Sequence, residues 1–418
     1  MNENKLRTSE GVTDYLPNEY AVKNEIESRV AAVFGGYGYS FVKSPAFEYA
    51  EVFEGSSDAS AMYKFIDRDG SVLSLRPDIT PPIARIAAAN YSLDDAPLRF
   101  CYVENAFRRN ENYQGKLREF TQAGVELLGV SSDDADAEVI AVAINSLIAA
   151  GLKDFRVDVG RVDFLKGVLE ETELAQTESG AVMNFILNKD YAGVENFIAD
   201  KKIKPGVREI LSNLCLYIGD GSVIKKCAEA VSNARALEAL AKLDNIRGIL
   251  NGYGLSQYVS FDLSMLGMLE YYTGVIFRGY ARGTGFSVID GGRYDNLCAK
   301  FGKNFPAVGF AIRINNLIPA FASQNVPIET AKTDTLMVYT ESGRDSALAV
   351  ADELRSDGML VENSLLGADL EKNIEYAKKK NINGIIYFKD AENAELISAD
   401  GGSASTTRSE LTEKRYAP

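Results

Sequence analysis

The chain has 418 residues and not one of them is histidine. That absence excludes any mechanism with an imidazole as general base, partner of a nucleophile or metal ligand. Tryptophan is missing too, although 21 Tyr and 20 Phe leave aromatic recognition available. No window holds the roughly 18 uninterrupted apolar residues that would cross a bilayer. The opening MNENKLRTSEGVTDYLP lacks the apolar stretch and small-residue cleavage site of a secretory signal. A cytoplasmic chain with no membrane partner is expected. There are only four cysteines, Cys101, Cys215, Cys227 and Cys298, with no C-x-x-C pair and no histidine to complete a mixed zinc site. They read as buried, reduced thiols, and no metal or cofactor is expected. Positive charge is also short, with 45 Lys+Arg against 59 Asp+Glu and a net charge of −14. That balance opposes long-range attraction of a polyanion, so no tRNA or other nucleic-acid partner is expected.

What is present reads as a mixed fold. Val22, Ile26, Val30 and Phe34 recur at four-residue spacing and predict a helix over 18–35, stopped by Gly35, Gly36 and Gly38. Short strands at 62–66 and 71–75 flank Asp67-Arg68-Asp69-Gly70, a hairpin signal. Pro81 and Pro82 open a helix. LRFCYVENAF and EFTQAGVELLG then read as a long hairpin around a polar loop at 108–118. A helix capped within 131–136 and the strand FRVDVG follow. Residues 163–250 carry Leu, Ile and Ala at helical spacing with no strand alternation, as in an inserted helical module. Strands resume at 259–263, 271–280 and 285–290, and PAVGFAIRINNLI predicts a strand passing into a helix.

From Thr335 strand and helix alternate up to INGIIYF, before a polar tail, which predicts a separate α/β domain over 335–418 with a largely parallel sheet. The boundary is expected at 320–334, leaving a core of residues 1–325. The terminal domain has 10 basic against 15 acidic residues. Its Lys378-Lys379-Lys380 cluster reads as a solvated helix end, where cations suit the dipole.

Arg108, Arg109, Lys116 and Arg118 crowd the loop of the long hairpin, where guanidinium groups suit phosphate or carboxylate oxygens, or where they are simply solvated. The segment FRRNENYQGKLREF with the following TQAGVE resembles motif 2 of class II aminoacyl-tRNA synthetases in its histidyl version. GVTDYLP, SPAFE, LRPDIT, EYYTG and GGRYD stand in the same order as in the histidyl family, and together they span most of residues 10–317. The resemblance implies an α+β fold: a six- or seven-stranded antiparallel sheet with flanking helices, plus a smaller C-terminal α/β domain in the place of an anticodon-binding domain. It also implies a histidine pocket formed by Asp78, Thr80, Gln122, Glu126, Tyr271 and Tyr272. The residue chemistry agrees, since carboxylates pair with an ammonium or accept an imidazole N–H, while Gln and Tyr fix orientation. The plain alternative is that Gln122 and Glu126, four apart in a strand, are surface polars on one sheet face.

Set against that family, the chain departs where adenylation needs charge. Gly267 stands where the family has a carboxylate-activating arginine, with Met268 after it. Arg313, Asn315 and Asn316 stand where motif 3 has glycine, glutamate and the phosphate-contacting arginine. Asn110 replaces a motif 2 carboxylate. Each lost cation removes transition-state stabilisation worth about 10²–10³ in rate, so no catalytic residue is assigned. Arg108 and Arg118 persist, to bind an anion or nucleotide or to form internal salt bridges. A histidyl-synthetase core with a kept pocket and broken adenylation motifs resembles the regulatory-subunit family of ATP phosphoribosyltransferase. The resemblance implies a non-catalytic role in histidine biosynthesis, beside a short-form catalytic subunit that this chain activates and makes sensitive to histidine as effector. It also implies a homodimer, through 18–48, within a larger hetero-oligomer. The alternative is a divergent histidyl-tRNA synthetase or a related ATP-dependent amino-acid-activating enzyme.

Overall fold

The computed structural model describes residues 6–55, 61–109, 117–266, 272–328, 332–398 and 401–413. Contacts divide the chain into two compact units, Met1–Ile328 and Glu329–Pro418.

The first unit begins with helix α1 (Pro17–Gly36), which has proline in its first turn and buries Ile26, Val30 and Phe34. Short strands β1 (Ser40–Phe41), β2 (Phe47–Tyr49), β3 (Lys64–Ile66) and β4 (Val72–Leu75) follow, the last three forming a small antiparallel sheet in the order β2-β4-β3. Helix α2 (Thr80–Asn90) leads to the hairpin of β5 (Leu98–Phe107) and β6 (Glu119–Leu128). Helix α3 (Asp133–Ala150), capped by the Ser132 side chain and ended by Gly151 in the left-handed region, leads to β7 (Phe155–Arg161). The helical stretch comprises α4 (Val162–Glu171), α5 (Gln176–Leu187), α6 (Tyr191–Ile198), α7 (Pro205–Ser212), β8 (Ile218–Gly219), α8 (Ser222–Ala230) and α9 (Ala234–Gly252). Strands β9 (Val259–Asp262), β10 (Val275–Ala281), β11 (Ile289–Arg293) and β12 (Ala307–Arg313) and helix α10 (Ile314–Ser323) complete the unit.

The main sheet has nine strands in the order β1-β5-β6-β12-β11-β10-β7-β9-β8. The six from β5 to β7 pair antiparallel throughout. The expected six- or seven-stranded antiparallel sheet is thus extended at both edges, and β1 on β5 and β9 on β7 are parallel pairs. A two-residue strand such as β8 carries no alternation to read. β9 enters parallel because the long helical excursion returns the chain to the end of the sheet from which β7 set out.

Alternation divides the faces of this sheet by chemistry. Cys101, Ala123, Val125, Phe310, Val275 and Phe277 are buried on one face and join a core with Ile26, Phe34, Ile140 and Ile144 from α1 and α3. That core runs on without a break through Val182, Ile198, Ile210, Leu240 and Leu243 of the helical stretch. The helices from α4 to α9 therefore share the core of the sheet. Gln122, Gly124 and Glu126 lie on the opposite face, in register with Arg313, Ala311 and Gly309. Cys101, Cys227 and Cys298 are buried, but Cys215, read as a buried thiol, is exposed on a single 3₁₀ turn whose Leu214 points inward.

In the second unit β13 (Thr335–Tyr339), α11 (Arg344–Ser356), β14 (Val361–Asn363), α12 (Leu370–Lys380), β15 (Gly384–Phe388), β16 (Asn393–Ser398), β17 (Ser403–Thr407) and α13 (Arg408–Glu413) form a five-stranded sheet in the order β14-β13-β15-β16-β17. Only β14, β13 and β15 are parallel. The polar tail supplies an antiparallel hairpin, which corrects the largely parallel sheet expected. Its Ser- and Thr-rich second strand buries little, so hydrophobic alternation did not mark it. No described helix is long and apolar enough to cross a membrane.

Candidate ligand pocket

The polar face of the sheet, together with the lead into α2, gathers the predicted pocket residues. Arg76 sets that lead. Its guanidinium is buried, donates to the Ser44 and Asn105 carbonyls at 2.7 Å each, and pairs with Glu104. This fixes Pro77 and Asp78 above β5 and starts α2 at Thr80. Asp78 is buried, and its carboxylate accepts the Ile79 N–H at 2.8 Å.

Glu126 lies at the centre with 1% of its surface exposed. The Thr80 hydroxyl donates to its Oε1 at 2.7 Å, and the Tyr294 hydroxyl donates to its Oε2. A side chain at position 309 would meet this carboxylate, because a Cβ there would lie 1.8 Å from Glu126 Oε2. Gly309 is therefore required by close approach. Burial pushes the Glu126 carboxyl up to about 8, against the pull of the Tyr294 and Thr80 hydrogen bonds and with a further push from Asp78. It is chiefly protonated at neutral pH in this environment. Gln122, four residues away on the same strand and facing the same side of the sheet, is 3% exposed, and its Oε1 has no hydrogen-bond partner among the described residues. These are not surface polars, and an orphaned buried acceptor on the same sheet face as a neutral carboxyl suits a ligand that brings N–H donors.

Tyr272 closes one side. A Cβ at Gly292 would come 2.7 Å from its ring, so the ring lies flat on β11. Its hydroxyl is pushed well above the usual range by burial and then by Asp290, Asp78 and Glu126. The adjoining backbone is pinned by the Thr273 N–H donating to the Arg293 carbonyl at 2.8 Å. Tyr271, Gly267 and Met268 lie outside the described residues, as do Asn110 and Lys116.

The two arginines proposed for anion binding are backbone neighbours, the Arg108 N–H donating to the Arg118 carbonyl at 2.8 Å, and their side chains take different partners. Arg108 donates from Nε to the Pro77 carbonyl at 2.8 Å and lies over the Phe120 ring, 5.3 Å from its centroid. Arg118 instead turns to the N-terminal segment, donating its backbone N–H to the Gly11 carbonyl at 2.6 Å and pairing with Glu10 at 3.4 Å. Arg313 lies 5.9 Å from the same Phe120 ring and pairs with Asp290 at 3.4 Å. Phe120 is itself buried, with a guanidinium near it from each neighbouring strand.

The positions that depart from motif 3 are built into the fold. Asn315 accepts the Thr121 N–H at 2.7 Å and donates to the Tyr15 hydroxyl. Asn316 donates to the Ser287 carbonyl at 2.8 Å. Both side chains bond to the protein itself.

The model of the histidyl-tRNA synthetase family matches residues 11–317. A relative from Acetivibrio thermocellus named ATP phosphoribosyltransferase regulatory subunit is 43% identical over 98% of this chain and 99% of its own length. One of the same name from Ruminiclostridium cellulolyticum is 41% identical over 93% and 94%. The chain belongs to the ATP phosphoribosyltransferase regulatory subunit family. Among solved structures, an ATP phosphoribosyltransferase regulatory subunit/histidyl-tRNA synthetase from Bacillus halodurans superposes with TM-score 0.80 at 31% identity, covering 92% of this chain and 98% of that one. A histidyl-tRNA synthetase from a Nostoc species shares the fold, with TM-score 0.81 at 20% identity over 98% and 99%.

Within this regulatory-subunit family member, two pocket residues escaped sequence reasoning. Tyr294 belongs to the GGRYD segment, which served only as a family marker, yet its hydroxyl holds Glu126. Tyr102 is fully buried opposite Gly124, and burial, then Glu126 and Asp78, raise its hydroxyl well above the usual range. The signal was available in β5, where Phe100, Tyr102 and Glu104 alternate toward the face that carries Glu126 and Gln122. Arg293 of the same GGRYD segment is buried and pairs with Asp136 of α3 at 2.6 Å, anchoring Tyr294 from behind.

Proposed function

We propose that the chain is the non-catalytic regulatory subunit of an ATP phosphoribosyltransferase complex, activating a short catalytic subunit and making it sensitive to histidine. The observation that carries this reading is the contrast between the two halves of the ancestral site. The recognition half presents Glu126, held by Thr80 and Tyr294, and on the same sheet face the unsatisfied Gln122 acceptor. In the half that would neutralise phosphate charge, Asn315 and Asn316 are tied to Thr121, Tyr15 and Ser287.

Histidine occupies the pocket of Asp78, Thr80, Gln122, Glu126, Tyr271 and Tyr272, with Tyr294 and Tyr102 as additional walls. An ammonium or imidazole N–H entering near Glu126 favours its ionised form, so binding is coupled to proton release. The effector acts by binding one arrangement of the complex better than the other, and substrates of the catalytic partner weaken histidine binding by the same factor. The chain itself does not form aminoacyl adenylate, and it works as a homodimer within the hetero-oligomer. Histidine-dependent ATP–pyrophosphate exchange by the purified chain tests the loss of adenylation, and robust exchange would overturn it. Co-purification with the short catalytic subunit tests the partnership.

A further inference from the structure

A second constellation lies outside this pocket, where β7 ends and α4 begins. Arg161, the last residue of β7, is 7% exposed. Its Nε and Nη1 are buried and have no hydrogen-bond partner among the described residues. The nearest carboxylates are Asp163 at 3.8 Å and Asp136 at 3.9 Å, too far for a hydrogen bond, and Asp136 is held at 2.6 Å by Arg293. Leaving a guanidinium buried with unused donors is costly, which makes it the kind of group that retains a ligand.

Arg161 lines a cavity of about 170 Å³ with Asp163, Arg235, Glu238 and Lys242. At roughly 30 Å³ per water, that is about six waters' worth, room for a phosphate-sized group. Asp163 at 2.9 Å and Glu170 at 2.8 Å hold Arg235, and Glu238 holds Lys242 at 2.8 Å, so two of the cations are already positioned by carboxylates. The liners carry three positive and two negative charges, and Glu170 brings the carboxylates of the cluster to three. Helix α4 starts at Val162 with no side-chain cap on its first turn, which adds the positive end of its dipole on the same side.

We infer that Arg161, Arg235 and Lys242 form a binding site for a single phosphate-class oxyanion, distinct from the amino-acid pocket. Arg161 supplies the fixed donors, while Arg235 and Lys242 close over the oxygens from the solvent side. The same chemistry admits free inorganic phosphate and the phosphate of a small phosphomonoester.

Phosphorus-31 NMR titration of inorganic phosphate into the full chain tests the site. The wild type should show saturable binding, weakened about tenfold or more in Arg161→Gln and in Lys242→Gln. Lys242 is 39% exposed, so its replacement leaves the fold intact even if Arg161→Gln does not fold. Competition by ribose 5-phosphate would assign the site to phosphomonoesters, and failure to compete would assign it to the free ion. No saturable binding, or equal binding by the wild type and the Lys242→Gln variant, would overturn the site.

Discussion

The Thr80 hydroxyl, on the first residue of α2, donates a 2.7 Å hydrogen bond to the Glu126 carboxyl near the end of β6. This bond ties the helix that follows the LRP segment to the face of the sheet, and it fixes one oxygen of a buried acid while Tyr294 fixes the other.

The first prediction concerns pH. Glu126 ionises near 4.5 when exposed and near 8 in the folded chain. Between those values the folded state holds a proton that the unfolded state has lost. The stability contributed by this site is constant below the lower value and falls as pH rises toward the upper one, by at most about 1.4 kcal/mol per pH unit. Urea unfolding of the wild type and of Glu126→Gln, compared at pH 6 and pH 8, should show the difference shifting in favour of the glutamine variant at the higher pH. A difference independent of pH would contradict the buried, protonated acid.

A second prediction follows for the ligand. Histidine binding near neutral pH should release close to one proton per site, seen as a binding enthalpy that changes with the ionisation enthalpy of the buffer. Glu126→Ala should weaken binding while leaving fold and assembly intact. Unchanged calorimetric affinity in that variant would remove Glu126 from the site.

Gly309→Ala makes a sharper steric test. Its new Cβ would fall 1.8 Å from Glu126 Oε2, so the carboxylate must move away from Thr80 and Tyr294. Loss of histidine binding with destabilisation of about 1–3 kcal/mol is expected, read by calorimetry and thermal melting. Unaltered binding would show that the position of the carboxylate does not matter.

Much of this was legible in sequence because the relevant patterns are local. The four-residue spacing of Ile26, Val30 and Phe34 marked α1, and the alternation across LRFCYVENAF and EFTQAGVELL marked the β5–β6 hairpin. The candidate pocket residues follow from the order of motifs; Gln122 and Glu126 share one face of the sheet, and Thr80 bonds to Glu126. The role of Tyr294 depends on register between strands distant in sequence, reaching Glu126 across 168 positions, whereas Tyr102 lies within the β5–β6 hairpin, opposite Gly124, where the alternation of β5 marks its face. The contacts of Arg118 with Glu10 and Gly11 are set by the fold of the N-terminal segment and are not legible in the motif 2 pattern. Edge strand β8, of two residues, offered no period to read.

A fourth prediction addresses the altered motif 3. Asn315→Ala removes the acceptor of the Thr121 N–H and the donor to Tyr15, and should destabilise the chain by about 1–3 kcal/mol in urea unfolding. The double substitution Asn315→Glu with Asn316→Arg should not restore ATP–pyrophosphate exchange. Gly267 and the Arg313–Asp290 pair remain as differences from the synthetase pattern.

The account rests most directly on one assay: phosphoribosyl transfer to ATP by the short catalytic subunit, alone, with this chain, and with this chain plus histidine. It predicts low activity alone, strong activation on adding the chain, and inhibition by histidine that Glu126→Ala relieves. Equal rates with and without the chain, or histidine inhibition that needs only the catalytic subunit, would contradict it.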